Sequence, residues 1–196
     1  MKAYTALLDA NILYPAPIRD IFLQLAVMDQ FQAKWTAEIH EEWINALMRN
    51  EPQRDRARLE RTRDLMNHAT RDCLITGYEH LISALQLPDE NDRHVLAAAI
   101  VGHCDVIVTQ NLQDFPEATL APYGIEVQHP DEFLCSQLDV NPGLFCQAMR
   151  IVRRRLKSPA YSTQQHLDVL TQQGLIATVA ELKPFQALLT LESDAP

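Results

Sequence analysis

The stretch from Leu87 to Pro116, LPDENDRHVLAAAIVGHCDVIVTQNLQDFP, constrains the fold more than any other. Pro88 and the acidic run after it end whatever precedes, and Asp89 or Asn91 can cap a helix that opens near Asp92. Val95, Leu96 and Ala99 follow Asp92 at helical spacing, so its carboxylate sits at the helix start, on the flank of the apolar face. The small residues Ala97, Ala98 and Ala99 let such a helix lie close against a sheet, and Gly102 ends it. Val106-Ile107-Val108 is then the short β-branched run expected of a parallel strand buried on both faces. Thr109, Asn111 and Asp114 follow at its carboxyl end, where open α/β sheets gather their ligand chemistry. The stretch therefore predicts an α/β fold in which Asp92 and Asp114 can meet at one sheet edge.

The rest of the chain fits a succession of strand-helix units. Residues Ala3 to Leu8 read as a first strand that delivers Asp9 to its end. After Pro15 and Pro17, the residues Ile18, Ile21, Phe22 and Leu25 mark an amphipathic helix. Phe31 to Trp35 reads as a short strand, and Thr36 as the cap of a helix whose apolar face carries Ile39, Trp43, Ala46 and Leu47. Of Glu38, Glu41 and Glu42 in that helix, Glu42 lies nearest the centre of the apolar face and Glu41 points away from it. Pro52 to Ala69 is helical again, with Leu59, Leu65 and Met66 as its apolar set and Arg54, Arg58 and Arg61 on one side. A helix is expected around Tyr78 to Leu85, a last strand at Ile125 to Val127 and a helix at Asp131 to Leu138. Asn141-Pro142-Gly143 is the best boundary. It divides a main domain, residues 1–138, from an extension, residues 139–196. The extension reads as helical throughout, with a helix stopped by Gly174 and a last one that runs to Leu182 or Leu191 and is kinked or broken at Pro184.

Asp9, Glu42, Asp92 and Asp114 thus come from a strand end, a helix flank, a helix start and a loop. Carboxylates brought together raise one another's pKa unless a cation compensates. Hard oxygen ligands of this kind suit Mg²⁺ or Mn²⁺, completed by waters and substrate phosphate oxygens. The pattern therefore points to phosphotransfer or phosphodiester cleavage, in which a metal activates water and stabilises developing charge. Neither a zinc-spaced His or Cys set nor a Ser-His-Asp or Cys-His set is evident. The net charge of −9 would argue against a nucleic-acid partner, but 13 of the 17 basic residues are Arg and most lie in two blocks. One block holds Arg54, Arg58 and Arg61. The other, Arg150 to Lys157, holds Arg153 and Arg154. The cysteines lack CxxC spacing, the N-terminal run lacks the features of a signal peptide, and no stretch has the length of a membrane span. A reduced, cytoplasmic protein is expected.

LLDANIL at the start, EIHEEW in the second helix, PDENDRHVLAAAI and VTQNLQDFP, in this order, resemble the PIN-domain ribonucleases, and among them the VapC-type toxins of toxin-antitoxin pairs. The resemblance covers roughly residues 3 to 130 and, more loosely, the helical extension from about Asn141. It implies a three-layer α/β/α sandwich around a parallel sheet. It also implies Mg²⁺-dependent endonucleolytic cleavage of RNA leaving 3′-hydroxyl and 5′-phosphate ends, frequent homodimers, and inhibition by a cognate antitoxin. Carried over by position, Asp9, Glu42, Asp92 and Asp114 are the metal-binding acids, Asn11 and Thr109 support the acid loop, and the Arg blocks hold RNA. Many members carry an acid where Asn111 stands. Two alternatives follow from the residues. One is a catalytically impaired module that binds RNA or a partner, suggested by Asn111. The other is a phosphatase similar to the haloacid dehalogenases, suggested by Asp9-Ala10-Asn11, though Lys2, Lys34, Lys157 and Lys183 offer no convincing strand-end lysine.

Overall fold

The predicted apolar runs pair into one sheet. In the computed structural model, which describes residues 4–190, the chain begins with β1 (Thr5–Leu8), the single turn α1 (Ala10–Leu13), α2 (Ala16–Val27), β2 (Gln32–Lys34) and α3 (Ala37–Asn50). It continues through α4 (Arg56–Ala69), α5 (Glu79–Ile82), α6 (Arg93–Val101), β3 (Val106–Val108), α7 (Glu117–Leu120) and β4 (Glu126–Gln128). The helices α8 (Pro130–Val140), α9 (Pro142–Arg155), α10 (Thr163–Gln172), α11 (Ile176–Leu182) and α12 (Gln186–Leu189) complete it. This is the α/β class that the sequence predicts, with helices after the sheet. Ala3 and Leu191, placed at the ends of predicted elements, lie outside the described residues. Among the described residues no helix is long and apolar enough to cross a membrane, and no disulfide joins Cys73, Cys104, Cys135 and Cys146.

The residues form two compact units. One comprises the chain up to Tyr14 together with Phe31–His129; the other comprises Pro15–Gln30 and the chain from Pro130 on. The first unit holds the sheet, with strand order β2-β1-β3-β4 and every pair parallel. Leu7 is level with Lys34 on one side and Ile107 on the other, while Ile107 is level with Val127. All residues of β1 and β3 are buried, as their β-branched and leucine-rich sequences require of central parallel strands. The ladder runs on past the strands, with Asp9 N–H bonded to Val108 O at 3.1 Å and Thr109 N–H bonded to Gln128 O at 3.1 Å. Asp9 and Thr109 are thereby fixed side by side at the carboxyl edge.

Thr36 caps α3 by accepting the Ile39 N–H at 3.0 Å. Ile39, Trp43, Ile44 and Leu47 then fall on one buried face at three- and four-residue spacing. Each such side chain removed from water contributes about 1.5–3 kcal/mol. His40 is buried with them. Its Nδ1 accepts the Trp43 indole N–H at 2.9 Å, which leaves Nε2 to donate to Asn67 Oδ1 at 2.9 Å, and Trp35 Nε1 donates to the same oxygen at 2.7 Å. Burial pulls the His40 pKa down to about 4, so the ring stays neutral and ties α3 to α4. On α4, Leu59 and Met66 are buried, whereas Leu65, expected in the same apolar set, is 59 % exposed. The helix expected around Tyr78 to Leu85 closes as one turn, α5, extended by single turns to Leu85.

In the second unit, α2 buries Ile18, Ile21, Phe22 and Leu25, and the Phe22 ring stacks on Phe133 of α8 at 5.4 Å. Asn141 caps α9 by accepting the Leu144 N–H at 3.1 Å, so Asn141-Pro142-Gly143 starts a helix within this unit, and the two units part between His129 and Pro130. Ser162 and Gln165 form a capping box for α10, which ends where Gly174 adopts a φ of 90° that L side chains rarely take. Pro184 breaks the last helix into a 3₁₀ turn and α12. One expectation needs correction here. Arg153, read as an RNA contact, is 5 % exposed and donates from Nη1 to Tyr161 O at 3.0 Å and from Nη2 to Leu189 O at 3.3 Å. The buried guanidinium is taken up by backbone carbonyls, of which Leu189 O is itself buried.

Candidate active site

Asp9 opens α1 as its N-cap, and both of its oxygens are already held. Oδ1 accepts the Ala10 N–H at 2.6 Å, while Oδ2 accepts Asn11 Nδ2–H at 2.6 Å and the Thr109 hydroxyl at 2.7 Å. Thr109 Oγ1 in turn accepts from Asn11 Nδ2 at 2.9 Å and from the Asn111 N–H at 3.1 Å, and Asn11 Oδ1 accepts the Gln110 N–H at 3.1 Å. Neighbouring parallel strands therefore lock one carboxylate in a single orientation. Asn11 and Thr109 thus both donate to Asp9 Oδ2. Asn111 takes part through its backbone. Burial pushes the Asp9 carboxyl above the usual carboxylate range, and the charge of Glu42 adds to the rise. The hydrogen bonds from Thr109 and Ala10, and the charge of His94, oppose it.

Glu41 and Glu42 of α3 diverge as their helical phase predicts. Glu41 pairs with α4, at 2.6 Å from Arg56 Nη2 and 3.5 Å from Arg63 Nη1. Glu42 instead meets His94, whose Nε2 lies 2.9 Å from Oε1. His94 is the second residue of α6 and is buried; its Nδ1 stands 3.6 Å from Glu38 Oε2, which also accepts the Tyr78 hydroxyl at 3.1 Å. Burial lowers the His94 pKa, but the hydrogen bond to Glu42 and the charges of Glu42, Glu38 and Asp9 outweigh it, and the net shift is upward.

Asp92 closes a 3₁₀ turn, Glu90–Asp92, which Asp89 caps by accepting the Asn91 N–H at 2.9 Å and which leads straight into α6. Its pKa is pushed up to about 6, first by burial and then by the charges of Asp9, Asp89 and Asp114. Asp114 ends a second 3₁₀ turn, Leu112–Asp114, whose backbone bonds back to Asn111. Asp9 feels Glu42, and Asp92 feels both Asp9 and Asp114, so the interactions run as a chain from Glu42 through Asp9 and Asp92 to Asp114.

Among the described residues no three His, Cys, Asp or Glu side chains are gathered closely enough to form a cage for an ion. Mg²⁺ does not ask for one, since it keeps several waters and is held by one or two carboxylates plus substrate phosphate oxygens. Asp9 and Asp92, whose ionised forms burial and neighbouring acids disfavour, are oxygen donors that fit such a cation, because the cation offsets both costs.

The arginines divide by environment. Arg54 pairs with Glu51 at 2.8 Å and Arg58 with Asp55 at 3.8 Å, both pairs being exposed, and Arg61 and Arg154 are exposed as well. The sequence reasoning missed His94 and its link to Glu42 and Glu38. A signal was present, since His94 lies in the run whose neighbours Val95 to Ala99 are all buried, but a helix pattern alone does not say which acid a buried ring faces.

A family model described as "PIN domain" matches residues 5–113. The chain belongs to the PIN domain family. The match takes in Asp9, Glu42 and Asp92 and stops one residue short of Asp114. A second model, "VapC50 C-terminal domain", matches residues 130–184, beginning where the second unit resumes after the sheet. This PIN domain protein is also 52 % identical, over 101 residues, to a protein of Mycobacterium tuberculosis (strain ATCC 25618 / H37Rv) named "Putative ribonuclease VapC50". The similarity covers 50 % of this chain and 57 % of that relative, little more than half of its length. No solved structure matches the chain.

Proposed function

We propose that this PIN domain protein is a divalent-cation-dependent endoribonuclease and the toxin of a toxin-antitoxin pair, acting in the cytoplasm on cellular RNA. The observation that carries the reading is the placement of Asp9. It is a buried, rigidly held carboxylate at the carboxyl edge of a parallel sheet, electrostatically coupled to Glu42, while Asp92 is coupled to Asp9 and Asp114. A site of this kind is costly without a cation and gains from one. The name of the Mycobacterium relative and the match to the VapC50 C-terminal domain favour the same activity.

In this reading Asp9, Glu42, Asp92 and Asp114 hold Mg²⁺ or Mn²⁺, directly or through water. When bound, the cation supplies water activation and charge neutralisation at the phosphodiester. The chain supplies the orientation. Thr109 and Asn11 aim Asp9, and the turn Glu90–Asp92, capped by Asp89, presents Asp92 at the start of α6. The exposed Arg54, Arg58, Arg61 and Arg154 attract the phosphate backbone, which an acidic protein would otherwise repel. A cognate antitoxin and a second copy of the chain are the expected protein partners. Producing the protein alone in cells and sequencing RNA 5′ ends tests this directly. New 5′-phosphate ends at recurrent positions are expected, and their absence with soluble, abundant protein would refute the assignment.

A further inference from the structure

We propose that His94 is the positioning residue of Glu42, holding its carboxylate through Nε2–H···Oε1 so that Oε2 is the oxygen left to face the cation. The proposal rests on the reading of the four acids as a cation site, and adds to it a residue that none of the carboxylates could replace.

The contrast with His40 carries the argument. His40 is buried for the core: both of its ring nitrogens are hydrogen-bonded to Trp43 and Asn67, within the packing of α3 and α4. His94 is as deeply buried, yet its hydrogen bond at 2.9 Å goes to the partly exposed acid Glu42, and its buried Nδ1 makes no hydrogen bond, with Glu38 Oε2 standing 3.6 Å away. Leaving a buried polar atom unpartnered is destabilising, a cost that an apolar side chain of similar volume would avoid. Packing alone therefore does not account for an imidazole here. Its contact with Glu42 does.

The position on α6 explains what the contact achieves. Glu42 stands on α3 and Asp92 at the entry of α6, so two acids of the set belong to separate elements. His94 lies two residues after Asp92, in the rigid first turn of α6. By bonding Glu42, it fixes that acid relative to Asp92 through one turn of helix. Among the described residues Glu42 Oε2 has no hydrogen-bond donor, so it is the atom still available. Partners that orient metal-binding carboxylates from behind are commonly worth about 10–100-fold in metal affinity.

The test is Mn²⁺ binding to the full chain by titration calorimetry, alongside circular dichroism, in His94→Gln, His94→Asn, Glu42→Gln and the double variant Glu42→Gln/His94→Asn. A Gln amide can reach the place of Nε2 and still donate to Oε1, whereas an Asn amide reaches only the place of Nδ1. We expect His94→Asn to weaken Mn²⁺ binding about 10–100-fold and His94→Gln to weaken it much less. In the Glu42→Gln background His94→Asn should add almost nothing, because it acts through Glu42. A purely structural role would lower folding stability in both backgrounds without this rescue by Gln. Folded His94→Asn that binds Mn²⁺ as the wild type does, or a loss of equal size in both backgrounds, overturns the proposal while leaving the cation site standing. A folded wild type that binds no Mn²⁺ overturns both.

Discussion

Replacing Asp92 with Asn should make the metal-free protein more stable at neutral pH, even though it removes a proposed functional acid. The Asp92 side chain makes no capping hydrogen bond to α6, so the amide loses no cap. Its native pKa is about 6 against an ordinary 3.8. A carboxyl whose native pKa lies above its unfolded value favours folding fully below the unfolded pKa and loses that contribution as pH rises through the native one. At about 1.4 kcal/mol per pH unit the charged native state is penalised by roughly 3 kcal/mol at most near pH 7.5. Because the side chain is partly exposed, solvent screening cuts this to about 1–1.5 kcal/mol. For a chain of this size that corresponds to a melting temperature higher by about 2–6 °C. Calorimetric melts in EDTA at pH 7.5 and near pH 4 measure it. Asp92→Asn should melt higher at pH 7.5, the gap should close between pH 6 and 4, and millimolar Mg²⁺ should raise the melting temperature of the wild type alone. A gap that does not change with pH, or an Asp92→Asn protein that melts lower at pH 7.5, refutes the electrostatic reasoning.

Three further outcomes follow from the side-chain environments. Glu42→Gln should lower RNA cleavage by orders of magnitude. Glu41→Gln, which loses only half-exposed pairs with Arg56 and Arg63, should cost less than about 1 kcal/mol of stability and little activity; comparable activities for the two variants would mean that the site does not include Glu42. Arg153→Ala should destabilise the second unit by about 1–3 kcal/mol, since it strands the buried Leu189 carbonyl and frees the part-buried Tyr161 carbonyl, whereas Arg154→Ala should leave the melt unchanged and weaken RNA binding. Replacing Arg54, Arg58 and Arg61 together should lower RNA affinity for every sequence alike and flatten the salt dependence by up to about 2 in logarithmic slope, with an unchanged slope assigning those residues to the solvated surface.

Much of this was legible in the sequence wherever a local rule decides the outcome. The β-branched run at Val106–Val108, the Thr36 cap and the helical phase separating Glu42 from Glu41 each depend on a few neighbouring residues, and each is present as read. What was not legible depends on contacts across long sequence separations. Arg153 sits in a run of arginines that reads as a solvated face, yet Leu189 O, far along the chain, claims its guanidinium. Leu65 fits the apolar pattern of α4 on paper and is exposed because α4 buries only a narrow stripe around Leu59 and Met66. Asn141-Pro142-Gly143 carries every mark of a linker and is a helix cap, since the same residues serve both ends. The tie from His94 to Glu42 joins α6 to α3 and leaves no periodic trace in either helix.

The most direct test of the account is cleavage of a short single-stranded RNA by the purified protein at low salt, with Mg²⁺ titrated from EDTA upward and Asp9→Asn as the matched control. Asp9→Asn preserves the shape of the group held by Asn11 and Thr109 and removes its charge. Internal cleavage that rises with Mg²⁺, stops in EDTA and is lost in a folded Asp9→Asn protein is the predicted result. Equal cleavage by Asp9→Asn, or cleavage that persists in EDTA, would contradict it.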